Sequence, residues 1–220
     1  MKKIIILLLL NISQFAFSQN IREIDSVSVI MCNSLINSGY IKNDILRISS
    51  LYQEQLNPYL KTLESSKADK FGELLYYRLQ RNCVEFRELL DRLEPPKESV
   101  TRKTIKPISK LTKKQIENFK KQVNFKYFEA SGDITLSIME NGKWIDNFAD
   151  KTYSKLDYNW ISNTEFELIF IESNNETRSG FSIAGDKLVY NVISKEADYY
   201  LVSVNIPGQK EFEEFKLYIN

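Results

Sequence analysis

Histidine is absent from the 220 residues, cysteine occurs only twice, glycine seven times and proline five times. Without histidine there is no Ser/His or Cys/His nucleophile pair, no imidazole-ligated zinc site and no side chain that ordinarily titrates near neutral pH. The few glycines fall mostly at predicted turns, so no phosphate-cradling loop is present. An overall excess of charge is missing too, with 30 Lys/Arg against 29 Asp/Glu. Long apolar runs are confined to the beginning, MKKIIILLLLNISQFAFSQN.

That beginning has the layout of an export signal. Lys2 and Lys3 form a basic start, residues 4–10 an unbroken apolar core, and Ala16-Phe17-Ser18 puts small residues at both positions that a signal peptidase reads. Residues 1–18 are therefore expected to be removed, leaving a chain that starts at Gln19 in the periplasm or outside the cell. Loss of Lys2 and Lys3 takes the net charge from +1 to −1. A retained membrane anchor is the competing reading. The apolar run is short for a stop-transfer helix, so no membrane span is expected after cleavage, and no cysteine follows it to accept a lipid.

Export changes what two cysteines mean. In an oxidising compartment a lone pair usually bridges, which predicts a Cys32–Cys83 disulfide; two unpaired core thiols or an intermolecular bridge are the alternatives. Helical periodicity agrees with the bridge. Leu75, Leu79, Cys83, Phe86, Leu90 and Leu93 share a stripe, with Arg78, Arg81, Glu85, Glu88 and Arg92 largely off it on the expected solvent face. Ile21, Ile24, Met31, Cys32 and Leu35 make a second stripe, and Ile45, Ile48, Tyr52, Leu56, Tyr59 and Leu63 a third. Ser38-Gly39 ends the first helix, Asn43 or Asp44 caps the second, Asn57-Pro58 kinks or restarts it, and Pro95-Pro96 stops the third. In an up-down-up arrangement the cysteines lie at about 18 and about 22 Å along parallel helices, at 1.5 Å per residue. A bridge there should stabilise the domain by roughly 3 to 4 kcal/mol.

After Pro96 the composition shifts. Residues 97–126 carry ten basic and two acidic side chains, whereas residues 127–220 carry eight basic and sixteen acidic. A basic run can grip nucleic acid or anionic lipid. The expectation preferred here is a solvated connector lying against the acidic region beside it, with no nucleic-acid partner. Thr112-Lys113-Lys114-Gln115 reads as a capping box opening a short helix.

From Val123 the period becomes two. Phe125 and Tyr127, then Ile134, Leu136 and Ile138, then Phe166, Leu168 and Phe170, then Tyr200, Val202 and Val204 alternate with other residues, and a last strand is expected over residues 212–218. Turn signals at Ser131-Gly132-Asp133, Asn141-Gly142, Asn174-Asn175, Ala184-Gly185-Asp186 and Pro207-Gly208 separate about eight short strands, with no helical pattern between them. Such an array closes as an antiparallel meander or small barrel. The expected fold class is α+β: signal peptide 1–18, a disulfide-stapled three-helix bundle 19–94, a basic linker with a short helix 95–122, and an antiparallel β domain 123–220.

Candidate chemistry is sparse. Asp146, Asp150 and Asp157 near Trp144 and Trp160 could supply a glycosidase pair, but sixteen acids in this stretch make such a cluster ordinary, and no catalytic residues are assigned. Trp144, Tyr153, Tyr158, Trp160, Tyr190, Tyr199 and Tyr200 could line a calyx or stack on a sugar; aromatic residues are also favoured strand residues that fill barrel interiors. Trp144, Trp160 and Tyr199 are the candidate ligand-binding residues. Gly142-Lys143-Trp144 looks like the G-x-W signature of lipocalins, which there belongs to the first strand, and Asn175-Glu176-Thr177 fits a glycosylation acceptor.

GKWIDNFADKTYSKLDYNWISNTEFELIFIESNN, then AGDKLVYNVI and DYYLVSV, is similar to a small β domain recurrent in uncharacterised exported proteins of the Bacteroidota. The shared pattern is a W-I strand (Trp160-Ile161), an F-x-L strand (Phe166 to Leu168) and a later G-D turn (Gly185-Asp186), over residues 123–220. A helical segment with a cysteine near each end accompanies it, as in this chain. The resemblance implies an exported protein and carries no catalytic residue. We therefore expect a binding or interaction protein of the cell envelope or secretome, without cofactor or metal, whose partner is an unidentified protein or envelope component; the alternative is a lipid or sugar carrier using the β domain as a calyx.

Overall fold

The computed structural model describes residues 21–97 and 100–220. The expected signal peptide and its cleavage point lie outside the described residues. Two compact units divide the chain, Met1–Glu94 and Pro95–Asn220. Among the described residues no helix is long and apolar enough to cross a membrane.

The first unit is helical, with α1 over residues 21–37, α2 Asp44–Leu51, α3 Asn57–Leu60, α4 Ser65–Asn82 and α5 Val84–Leu93. These five take the place of the three helices expected, the second being interrupted before Asn57-Pro58, where the sequence offers a kink or restart, and the third at Cys83, where it offers none. Asn43 caps α2 by accepting a hydrogen bond from Leu46 N–H at 3.0 Å. Between α2 and α3 the chain makes a π-helical turn, Tyr52–Leu56. Pro58 explains that turn: its ring would collide with the carbonyl of residue 54 in a regular helix, and a wider turn makes room.

The second break falls at Cys83, which is extended (φ −127°, ψ 105°) between α4 and α5 rather than helical. Such a break frees carbonyls at the end of α4. Arg87 meets two of them, its Nη1 donating to the Gln80 oxygen at 2.7 Å and the Arg81 oxygen at 3.0 Å. Beyond the break the buried face re-registers onto Phe86 and Leu89, and Leu93 is exposed. The Cys32–Cys83 disulfide is formed, with Cα atoms 5.5 Å apart.

The α1 stripe buries Ile21, Ile24, Met31 and Leu35 as expected. On α2 the face is rotated: Ile45 is exposed, and Arg47 and Leu51 are buried instead. Arg78 and Arg81, expected on the solvent face, are buried as well. Polar partners account for the difference. Arg78 Nε and Nη2 donate to the two oxygens of Asp25 at 2.7 and 2.9 Å, Asn82 donates to Asp25 and to Ser28, and Arg47 Nη2 donates to the Leu35 oxygen and pairs with Glu85, both at 2.8 Å. Periodicity sees apolar residues; it cannot see a guanidinium that brings its own acceptor.

The second unit is an antiparallel barrel. After the short β1 Thr101–Lys103 and α6 Lys113–Lys121 come β2 Asn124–Phe128, β3 Ile134–Glu140, β4 Lys143–Asn147, β5 Tyr153–Trp160, β6 Glu165–Ser173, β7 Lys187–Lys195, β8 Tyr199–Asn205 and β9 Phe212–Ile219. Each of β2 to β9 pairs with the next, and β9 returns to β2 through Phe125↔Ile219 and Lys126↔Tyr218, closing eight strands. Asn141 and Gly142, at φ 52° and 71°, form the β3–β4 hairpin that the Asn-Gly pair predicts. Closure leaves no long free edge, and inward alternation delivers Phe125, Trp144, Leu156, Phe166, Leu168, Val202 and Leu217 to one core.

The basic connector belongs to this unit. Thr112 and Gln115 complete the capping box of α6, and Phe119 enters the barrel core from that helix. β1 pairs with β9, Arg102 with Glu213 at 3.1 Å, and Lys106 with Glu165 at 2.6 Å. Lysine and arginine of the connector thus meet acids of the barrel. A helix, α7 Glu176–Phe181, interrupts the β6–β7 connection where only a turn is expected. Asn175 caps it by accepting from Arg178 N–H at 3.1 Å; six residues are too few for a helical period to show in the sequence.

Candidate functional site

The two ends of the barrel lumen differ in chemistry. At the α6 end the side chains are almost wholly aromatic. Phe119 lies 4.8 Å from Tyr200 and 5.2 Å from Phe125 between ring centroids, and Phe166 stacks on Tyr190 at 5.0 Å and on Trp144 at 5.9 Å. Trp160 sits against Phe119 and Phe166, with Lys120 Nζ 4.5 Å from its ring centroid. Rings at these separations are in contact and occupy this half of the lumen.

At the α7 end the lumen is polar. Along β3 the expected face is reversed: Ile134 and Leu136 are exposed, while Thr135, Ser137 and Met139 turn inward, and along β4 Asp146 turns inward two residues after Trp144. Ser137 Oγ donates to Asp146 Oδ1 at 2.5 Å and Trp144 Nε1 donates to the same oxygen at 2.7 Å. Burial pushes the Asp146 carboxyl above the ordinary carboxylate range; the Ser137 and Trp144 hydrogen bonds and the Arg178 charge oppose that shift. Arg178 reaches from α7 to an ion pair with Glu129 and lies 5.1 Å from the Phe148 ring centroid, and Thr135 Oγ1 donates to Glu129 at 2.6 Å. Burial likewise raises the Tyr127 and Tyr190 phenols well above their usual range, with the negative charge of Asp146 adding to it.

This constellation of one arginine, two carboxylates and two tyrosines can hold a small polar group by charge-assisted hydrogen bonds. Of these, the sequence offers Asp146 and Tyr190 as candidates; Tyr127 reads there only as an alternating strand residue. Arg178 and Glu129 lie on the unrecognised helix and just past a strand end, and no motif links them. Asp146, Asp150 and Asp157 are not brought together. Asp150 sits in the exposed β4–β5 connection and accepts from Thr152 and Asn175, which hold its carboxyl below the usual range, and Asp157 pairs with Lys143 on a neighbouring strand. Trp144 and Trp160 share the lumen. Tyr199 instead packs at a tilt against Tyr218, with ring centroids 5.5 Å apart and Lys216 over its ring, on the opposite face of β8 from the buried Tyr200.

A second concavity opens in the wall. β1 covers β9 up to Glu214 and β2 pairs with it only from Tyr218 onward, and between them lies a cleft of about 170 Å³ lined by Val100, Phe128, Ala130, Glu214, Lys216 and Tyr218 among others. Among the described residues no group of histidine, cysteine, aspartate or glutamate is arranged to hold a metal ion.

Fold and site together define a two-unit α+β protein with a disulfide-stapled helical unit and an eight-stranded antiparallel barrel. No protein-family model, curated protein or solved structure matches the chain.

Proposed function

We propose that this is an exported, non-catalytic binding protein that engages a protein or another component of the cell envelope through its outer surface. The observation that carries this reading is the ring-on-ring packing of Phe119, Phe125, Trp144, Trp160, Phe166 and Tyr190, which takes up the lumen space a calyx would need. The disulfide supports an oxidising destination. The separation of Asp146, Asp150 and Asp157 supports a role without catalysis. Membership of an exported Bacteroidota family, resting on the W-I, F-x-L and G-D pattern, is part of the same proposal.

The carrier reading draws on one observation, the polar end of the lumen, where Tyr127 and Tyr190 are only half-buried beside Arg178. Two measurements separate the readings. A tagged chain recovered from the native cell envelope should bring one component reproducibly. A chain recovered alone, whose tryptophan fluorescence responds saturably to a lipid or sugar, would overturn the proposal in favour of the carrier.

A further inference from the structure

Between β1 and α6 the connector crosses the barrel wall as a tethered strap. Asn191 Nδ2 donates to the Pro107 oxygen at 2.7 Å, Lys110 N–H donates to the Ile193 oxygen at 2.7 Å, and Lys106 Nζ pairs with Glu165 at 2.6 Å. A segment pinned at three points has a defined outer face. On it stand Ile105 and Ile108, 82% and 83% exposed, more than any other large apolar side chain among the described residues. Single exposed apolar residues are ordinary on a surface; two isoleucines three positions apart on a fixed backbone, both turned to water, mark a contact.

Their neighbours indicate with what. Lys103 and Lys110 flank the pair, Lys113 and Lys114 follow in the first turn of α6, and all four are exposed. Among the described residues none of these four lysines is joined to a carboxylate. The strap lies in the stretch of ten basic and two acidic residues, whereas residues 127–220 hold sixteen acidic and eight basic. An anionic plane would attract the strap and repel the acids of the barrel, which turns the barrel unit strap-first.

We propose that this ridge docks on an anionic lipid surface, with Ile105 and Ile108 entering the headgroup region and the four lysines meeting lipid phosphates. The inference rests on the reading of an exported binding protein and names the envelope component as lipid. Apolar side chains that reach the acyl boundary, ringed by cations that stay among the headgroups, are what interfacial binding requires. Exposed apolar side chains on a strap suit a deformable surface, and charge of one sign suits a partner with many equivalent anions rather than one matched carboxylate.

The test is sedimentation with vesicles of phosphatidylcholine alone or containing roughly a third phosphatidylglycerol, the anionic lipid to which each nearby lysine adds about fivefold in partitioning. The chain used begins at Gln19, which keeps every described residue and removes the apolar run at residues 4–10 that would bind lipid by itself. Binding to phosphatidylglycerol vesicles is expected, falling as salt rises and weakened about tenfold in Ile105→Ser/Ile108→Ser. Because both side chains are exposed, the melting temperature of that variant should match the parent's. Equal binding to the two vesicle types, or equal binding by the serine variant, overturns the proposal. Capture of an envelope protein without lipid binding would sink this inference alone; failure of both would sink the broader reading with it.

Discussion

Arg78 in the helical unit and Arg178 in the barrel unit both reach a carboxylate, yet they sit in opposite surroundings. Arg78 is 3% exposed and shares its space with Asp25, Asn82 and Ser28, so a polar network runs through the helical core. The Arg178 side chain remains 37% exposed at the mouth of a lumen whose far end is packed with aromatic rings. The helical unit thus mixes charge into a small apolar interior and adds a covalent staple. The barrel segregates the two, with rings at the α6 end and charge at the α7 end. A unit of fewer than about 80 residues buries too little apolar surface to be secure without cross-links, whereas a closed eight-stranded barrel gathers enough.

Removing aromatic mass from the barrel lumen should have the largest effect. Phe166→Ala, which deletes a ring in contact with Trp144 and Tyr190, should cost the barrel about 4 kcal/mol, read as a fall in the thermal midpoint of its near-ultraviolet signal. A smaller fall would mean that the lumen is looser than its ring distances imply.

Next comes the staple. Cys83→Ser or Cys32→Ser should each cost roughly 3 to 4 kcal/mol, with the double variant no worse, because either change already removes the single cross-link. Hydrogen exchange should show the loss confined to amides of residues 21–94. Additive losses, or barrel amides exchanging faster, would contradict this account.

Arg78→Ala should cost about 2 kcal/mol in denaturant titration. The figure is below that for a fully buried pair because Asp25 keeps a third of its side chain in water and can be solvated when its partner leaves. An effect under a few tenths would place Arg78 among ordinary surface arginines.

The smallest effect concerns Asp146 and depends on pH. Its carboxyl is harder to ionise in the folded barrel than in the unfolded chain, so the site's contribution to stability is full below the unfolded value of 3.8 and is lost as pH rises through the raised value. Asp146→Asn cannot ionise. Its melting temperature relative to the parent should therefore climb as pH rises from about 4 toward neutrality, the range in which the parent carboxylate becomes charged. A pH-independent difference would mean that Ser137, Trp144 and Arg178 offset the burial completely.

Much of the architecture was legible in residue order. The Asn141-Gly142 hairpin, the Thr112–Gln115 capping box, the α1 stripe and the period-two strands rest on local chemistry within a few residues, where sequence spacing and spatial spacing coincide; which face of β3 turns inward did not follow, since Thr135 and Ser137 are buried there and Ile134 and Leu136 are not. The candidate site was barely legible. Asp146 could be noted as an acid, but Arg178 and Glu129 meet it only because α7 folds over one end of the barrel and the β2–β3 hairpin ends beneath it.

The same division runs through the whole protein. Residue order was enough to say that any intramolecular bridge joins Cys32 to Cys83, that the period changes from 3.6 to two near Val123, and where most turns between strands fall, because two cysteines leave one intramolecular pairing and periodicity is a local property of the backbone. The folded chain is needed to see that Cys83 breaks its helix, that the bridge to Cys32 forms, that Arg47 and Arg78 are core residues, that β9 closes on β2, and that Ile105 and Ile108 stand in water. Each of those depends on partners far away in the chain: a carboxylate that makes burying a guanidinium tolerable, an arginine that meets freed carbonyls, a strand edge that finds its mate, and a tethered strap whose outer face nothing covers among the described residues.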